Sequence, residues 1–340
     1  MIDFSTLQGL TIPEGVVTQI ARDGVVLWKV NTGKPVILEV EKQIITSYAA
    51  DTTYENEECI VLQIYPKSNG TVSVTYGTLT KTITDTSGAE SPNSQVVFFG
   101  TFNGVSDSVT TPTSGTLTIE GDYDAFGCGR YSTNGKGTTN TCHCITNVID
   151  WGTVDKIPNN AFQQCNLTLT SLPSSITSIG NYAFDYCTNL ALTSLPSGVT
   201  SIGSYAFRNC LSLNITELPE GLISIGNEAF YMPTKTHSEI TMNTKTITFP
   251  STLESIGESA FRSDDYGGDS LYYTYLANAI MLAENPPVLG DKAFGVRGAR
   301  SNGNQLAYMQ FIVPKGCAEK YKSAESWGIY NQFCDIVEAN

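Results

Sequence analysis

From Asp155 to Leu253 one phrase is written four times. DKIPNNAFQQC (155–165), TSIGNYAFDYC (177–187), TSIGSYAFRNC (200–210) and ISIGNEAF (223–230) stand in register, separated by TSLPSSI (170–176), TSLPSGV (193–199) and TELPEGL (216–222). The Phe of each Ala-Phe pair falls at 162, 184, 207 and 230, spacings of 22, 23 and 23 residues. Two looser copies place Phe261 and Phe294 after spacings of 31 and 33. A fixed period in the low twenties leaves few folds open, because a coil that short encloses no core of its own and must bury its apolar side chains against its neighbours. The chain is therefore expected to stack into a solenoid.

The recurrent letters assign themselves to that stack. Leu167/Leu190/Leu213, Leu169/Leu192/Ile215 and Leu172/Leu195/Leu218 repeat in register, as do Ile179/Ile202/Ile225/Ile256 and the six Phe residues. They make five apolar ladders, each side chain contributing roughly 1.5–3 kcal/mol on burial. Pro173, Pro196, Pro219 and Pro250 lack an N–H and are expected to end strands. Gly180, Gly203, Gly226 and Gly257 precede the Ala-Phe segments, where a turn that a Cβ would hinder is expected.

The pattern L-P-x-x-(I/V/L)-x-S-I-G-x-x-A-F-x-x-C, nearly complete at 172–187 and 195–210, resembles the BspA-type leucine-rich repeat family. The resemblance runs over about 155–338 and includes IVPKGCAEKYKSAESWGIYNQFCDIVE (312–338), which is similar to the terminal cap of such arrays, with a short strand, a helix near Ala318–Ala324, and Trp327 and Tyr330 closing the end. It implies a binding array for proteins or glycans, not an enzyme. In this family the slot of Cys165, Cys187 and Cys210 often holds a small inward-facing Cys or Asn, so these thiols are expected to pack, not to ligate or bridge.

Ahead of the repeats the pattern changes. Pro35–Val40, Cys59–Tyr65, Thr71–Tyr76, Leu79–Thr84, Val96–Phe102 and Thr116–Glu120 read as short alternating strands of an immunoglobulin-like β-sandwich over 31–122. Residues 123–154 read as an N-terminal cap of the solenoid, covering the first coil with Trp151. Cys128, Cys142, His143 and Cys144 lie there within 17 residues, and zinc or a disulfide from Cys128 are alternatives to plain packing. Adjacent positions on a strand point to opposite faces, so only Cys142 and Cys144 would share one. The expected organisation is mainly β: a hairpin segment (1–30), the sandwich (31–122), the cap (123–154), the repeats (155–311) and a C-terminal cap (312–340).

LQGLTIPEGVVTQIARDGVVLWKV, with Asp23-Gly24 between two apolar runs, reads as a hairpin. The phrase resembles the short N-terminal segment of tail and baseplate-associated proteins of phages and prophages of gut Firmicutes. That likeness implies a virion protein, made in the bacterial cytoplasm and released by lysis, which docks on other tail or baseplate proteins through residues 1–30. It agrees with the absence of a basic, then apolar, export signal at the N-terminus. A net charge of −14 disfavours nucleic acid and anionic membrane as partners, and no apolar run approaches the 18 residues of a span.

Catalytic patterns are not evident. His143 and His237 are the two histidines, and neither joins a recognisable nucleophile or metal motif. Asp264, Asp265 and Asp269 lack the spacing of a calcium loop, and no cofactor is expected. Ligand contact is expected where insertions stretch the coils, Tyr231–Lys245 and Arg262–Leu282, through Tyr266, Tyr272, Tyr273 and Tyr275, with Tyr182, Tyr186 and Tyr205 extending the patch. The expected role is a phage tail-tip or tail-fibre protein that recognises a bacterial surface protein or glycan, possible homo-oligomerisation included. The alternatives are a bacterial surface adhesin of the same repeat family, or a purely structural virion component.

Overall fold

The computed structural model describes residues 16–17, 30–31, 35–40, 43–49, 52–67, 70–84, 95–102, 105–106, 115–121, 123–127, 130–132, 139–141, 144–232, 245–264, 272–295, 309–330 and 334–340. These residues are mainly β. Their single α-helix, Ala318–Ser323, has six residues, and no described helix is long and apolar enough to cross a membrane.

Two five-stranded antiparallel sheets precede the coils. The first runs Ile145–Trp151, Val36–Val40, Gly115–Gly121, Thr71–Tyr76, Leu79–Thr84 in spatial order, and the second holds Thr52–Pro66 between Tyr123–Gly127 and Gln95–Phe102, with Gln43–Ala49 also paired to Thr52–Pro66. Alternation decides the faces. Val36, Leu38, Val72, Val74, Leu117 and Ile119 of one sheet and Leu62, Ile64 and Phe126 of the other are buried in one apolar cluster. Outward, Thr71, Ser73 and Thr75 meet Thr84, Thr82 and Thr80 in cross-strand hydroxyl pairs. Near the N-terminus, Val16–Val17 pairs antiparallel with Val30–Asn31, while the Val25–Trp28 run lies outside the described residues.

The expected division at residue 122 does not hold, because the two sheets extend past it. Tyr123–Gly127 bonds to Thr52–Pro66 and Ile145–Trp151 to Val36–Val40, so residues 123–154 supply one strand to each sheet. The buried side chains of Ile145 and Val148 account for this, since both complete the sheet's inner face. The same stretch meets the first coil: Phe126 and Trp151 pack edge-on against Phe162, with ring centroids 5.9 and 5.8 Å away.

Six two-residue strands, Lys156–Ile157, Ser178–Ile179, Ser201–Ile202, Ser224–Ile225, Ser255–Ile256 and Val288–Leu289, form one parallel sheet along the array. Behind them the six Phe rings stack at 5.0–5.4 Å with interplanar angles of 8–16°. Four of the five expected ladders are buried throughout; in the fifth, Leu172 is half-buried while Leu195 and Leu218 are covered. The prolines open turns: the carbonyls of Pro173, Pro196, Pro219 and Pro250 accept the N–H three residues on, and of the four only Pro250 directly follows a strand, Lys245–Phe249.

Glycine is needed for a reason other than the expected turn. A Cβ on Gly180, Gly203, Gly226, Gly257 or Gly290 would lie 2.3–2.6 Å from a backbone nitrogen of the preceding coil. None of these glycines has a positive φ. Close approach of consecutive coils, not local curvature, excludes a side chain.

The later, longer coils build a second parallel sheet, Lys245–Phe249, Leu276–Met281, Gln310–Val313, Asp335–Glu338. Trp327 and Tyr330 are buried beyond it against Phe311, and Tyr330 also meets Phe294. Four polar contacts meet backbone groups at this end. Ser326 Oγ accepts the N–H of Leu289 and Tyr330 accepts that of Phe294, while Trp327 Nε1 donates to Pro287 and Tyr321 to Ala283.

Candidate functional site

Each coil turns through a left-handed residue two places before its Phe: Asn160, Tyr182, Tyr205, Glu228, Ser259 and Lys292, with φ between 50° and 61°. In the first three coils Gln164, Tyr186 and Asn209, two places after the Phe, are left-handed as well. Alternating handedness points every second N–H along the stack. Asn160, Phe162 and Gln164 donate to the carbonyls of Asn181, Ala183 and Asp185, and Tyr182, Phe184 and Tyr186 repeat this toward Ser204, Ala206 and Arg208. Intervening N–H groups close turns within their own coil, as Gln163 does on Asn160. The side chains of successive coils therefore line up in columns.

Three adjacent columns create the most distinctive surface. The Tyr182 and Tyr205 rings lie 4.5 Å apart and 8° from parallel. The Arg208 guanidinium sits 4.8 Å from the centre of Tyr205, 5.4 Å from Tyr186 and 5.7 Å from Tyr182. Its other side grips Asp185 with two hydrogen bonds, 2.7 and 2.9 Å, and Gln163 Nε2 adds a third to that carboxylate at 2.7 Å. Asp185 is fully buried, whereas the Arg208 side chain keeps 24% of its surface. Desolvation opposes the guanidinium charge and Asp185 outweighs it, so the Arg208 pKa is raised. At the rim the Tyr205 hydroxyl donates to Glu228, whose carboxyl is held above its ordinary range by burial, against the pull of Arg208 and Arg262. Arg262 in turn stands 5.8 Å over the Tyr231 ring.

The residues singled out from sequence divide sharply. Tyr182, Tyr186 and Tyr205 come together on one surface. Tyr275 does not join them: it is buried, its hydroxyl donates to the Phe230 carbonyl at 3.2 Å, and burial raises its pKa. The expectation of an exposed contact at Tyr275 is therefore corrected, because the chain there enters the second parallel sheet at Leu276 and turns the ring inward. Tyr272 and Tyr273 lie on the strand Tyr272–Thr274, paired with Arg262–Asp264, while Tyr266 lies outside the described residues. Arg208, Asp185 and Gln163 were not anticipated. Their signal was present: each directly follows a repeat Phe, so spacings of 22 and 23 residues place three complementary polar groups in one column.

The thiols are structural. Cys187 and Cys210 are buried and free, and their Sγ atoms donate to the carbonyls of Phe162 at 2.9 Å and Phe184 at 3.1 Å, one coil back. Burial raises both pKa values, which removes the thiolate that nucleophilic or ligand chemistry requires. Cys144 is likewise buried and in no disulfide, whereas Cys128, Cys142, His143 and His237 lie outside the described residues. Among the described residues no three His, Cys, Asp or Glu side chains gather as a metal site. Along the six-stranded sheet runs an open groove of 990 Å³, floored by the Ser and Gly rows and edged by Asn159, Asn181 and Asn227. Those Asn carboxamides are occupied: each accepts the N–H of the residue in the same column of the next coil, at 2.7–2.9 Å.

The family model of the BspA type leucine rich repeat region matches residues 155–265 in six copies. This segment, about a third of the chain, is similar to the repeats of that family. The match begins at the first strand of the parallel sheet, so the repeat domain opens where the coils do. Among solved structures the chain is similar to a leucine-rich repeat protein from Bacteroides ovatus, at 16% identity and a TM-score of 0.27, covering 62% of this chain and 65% of that one. The chain thus spans slightly less than two thirds of that protein's length. No curated protein matches.

Proposed function

We propose that this leucine-rich repeat protein is a non-catalytic recognition protein, and specifically a phage tail-tip or tail-fibre component that holds a bacterial host surface through its repeats. The observation that carries recognition is the surface of Tyr182, Tyr186 and Tyr205, three ring side chains on adjacent coils, outside the Phe core. Tyrosine offers large contact area at low entropic cost, which suits a recognition surface. The phage assignment rests on the likeness of T-I-P-E-G-V-V-T-Q-I and G-V-V-L-W in residues 11–28 to tail-protein segments. In this reading residues 1–30 dock to the virion, an immunoglobulin-like sandwich spaces the array, and several copies on one particle turn weak single contacts into firm attachment.

The repeat type itself favours a second reading, a surface adhesin on a bacterium. One experiment separates them. Full-length protein is titrated onto a panel of bacterial strains, and in parallel is used to capture proteins from purified phage tails. Saturable, strain-selective cell binding together with tail-protein capture supports the tail-tip reading. Cell binding without tail capture favours the adhesin. Tail capture with no strain bound would leave a structural virion part and end the recognition reading.

A further inference from the structure

We propose that the surface of Tyr182, Tyr186 and Tyr205 takes uncharged carbohydrate, with Arg208 as the positioning residue that holds the rings. This deepens the recognition reading above and rests on it. The first argument is the backbone. All three tyrosines have φ near +60°, a region where a side chain with a Cβ costs roughly 1–2 kcal/mol and where Asn is among the better tolerated residues. Other coils fill the same left-handed positions with Asn160, Gln164, Asn209, Glu228, Ser259 and Lys292, so the conformation belongs to the repeat and does not call for tyrosine. Three rings on one surface, at positions where Asn is better tolerated, point to what the side chains touch.

Charge narrows the ligand. The one cation among these rings is paired with the buried Asp185 carboxylate through its Nε and Nη2, which neutralises its charge locally, so a phosphate, sulfate or carboxylate would have to compete with that carboxylate for it. Glu228 stands beside Tyr205, and the chain carries a net charge of −14, both of which repel anionic polymers. Shape narrows it further. Tyr186 keeps 45% of its surface while Tyr182 and Tyr205 are half-buried, so the patch is far smaller than the ~800 Å² per partner of a stable protein interface. Apolar ring surface bordered by phenol hydroxyls and a carboxylate matches the C–H face and hydroxyl edge of a pyranose. Arg208, held from below by Asp185, whose carboxylate Gln163 also bonds, meets all three rings and fixes their spacing.

The test uses substitutions that copy the neighbouring coils, so that folding is preserved: Tyr182→Asn, Tyr205→Asn and Tyr186→Gln, combined in the full-length chain. Probes are neutral polysaccharides (a galactan, a mannan and a glucan), polygalacturonate, and cells of a bound strain treated with periodate or with protease. The expected result is retardation by at least one neutral polysaccharide, none by polygalacturonate, cell binding lost after periodate but not after protease, and at least tenfold weaker binding by the triple variant with an unchanged or higher Tm. Arg208→Met should weaken binding while leaving its preference among sugars unaltered. Cell binding that survives in the triple variant overturns the site yet leaves the recognition reading standing. Binding abolished by protease and indifferent to periodate overturns the carbohydrate class. Failure to bind any strain or polysaccharide overturns both.

Discussion

The hydroxyl of Tyr330 accepts the N–H of Phe294 at 3.1 Å, and so ends a hydrogen-bond column that starts at Phe162. In every earlier coil the Phe N–H is taken by the Ala of the next coil, at 2.7–2.8 Å. The last coil has no successor in the array, and a side chain from the terminal segment substitutes for one.

Tyr330→Phe should therefore leave a buried N–H without a partner, at a cost of about 1–3 kcal/mol. Urea denaturation gives the loss in stability, and the Phe294 amide should become one of the faster-exchanging amides of the coil core. Unchanged exchange at Phe294 would contradict the assignment.

Gly203→Ala places a Cβ 2.5 Å from both the Asn181 nitrogen and the Gly180 carbonyl carbon, all backbone atoms that cannot swing aside. A loss of about 1–3 kcal/mol or more is expected from overpacking. Gly198→Ala is the control, because its nearest contact is 3.5 Å and its φ is not positive. Equal thermal stability of the two variants would refute the close-approach argument.

Asp185→Asn removes the charge that the Arg208 guanidinium faces. Breaking a buried pair costs about 3–5 kcal/mol, and the partial exposure of Arg208 puts this one toward the lower end. Because the carboxylate is fully buried, the loss should persist in 1 M salt, unlike that of a surface pair.

Glu338 accepts backbone N–H groups of Gly316 and Ala318, which hold its carboxyl below the ordinary glutamate range. A depressed folded value means that its contribution is present above the ordinary range and is lost as pH falls through the lowered value. Glu338→Gln should lower stability at neutral pH and leave it unchanged at strongly acid pH. Parallel denaturation midpoints from pH 7 to pH 2 would disprove the role.

Much of the fold could be read from local chemistry. Thr71–Tyr76 and Leu79–Thr84 emerge as strands with the bounds that alternation gave, since each has one more covered and one wetter face, Val72 and Val74 being buried and Leu79 and Ile83 half-buried. Gln43–Ala49 and the first residues of Thr52–Pro66 were missed: Glu55, Glu57 and Glu58 dilute the apolar signal there, and backbone pairing supplies the strand. The second parallel sheet escaped because insertions of uneven length break the period at Phe230 and Phe261, which conceals that Ile247, Ala279 and Phe311 pair in register. The tyrosine surface was half legible. Column position revealed Tyr182 and Tyr205, but exposure depends on which way the lengthened coil turns, and that misplaced Tyr275.

The alternation of handedness around each Ala-Phe pair gives the array a direction. Along that arc the N–H groups aimed between coils all face the C-terminal end and the carbonyls that receive them face the N-terminal end. On that arc the two ends are consequently not interchangeable: one offers donors, with that of Phe294 met by the Tyr330 oxygen, and the other offers acceptors. Extra coils inserted in the same sense would extend the column one by one, whereas an inverted coil would set donor against donor. Growth of such a protein by duplication is a vectorial process, with its stopping point written in a single phenol oxygen.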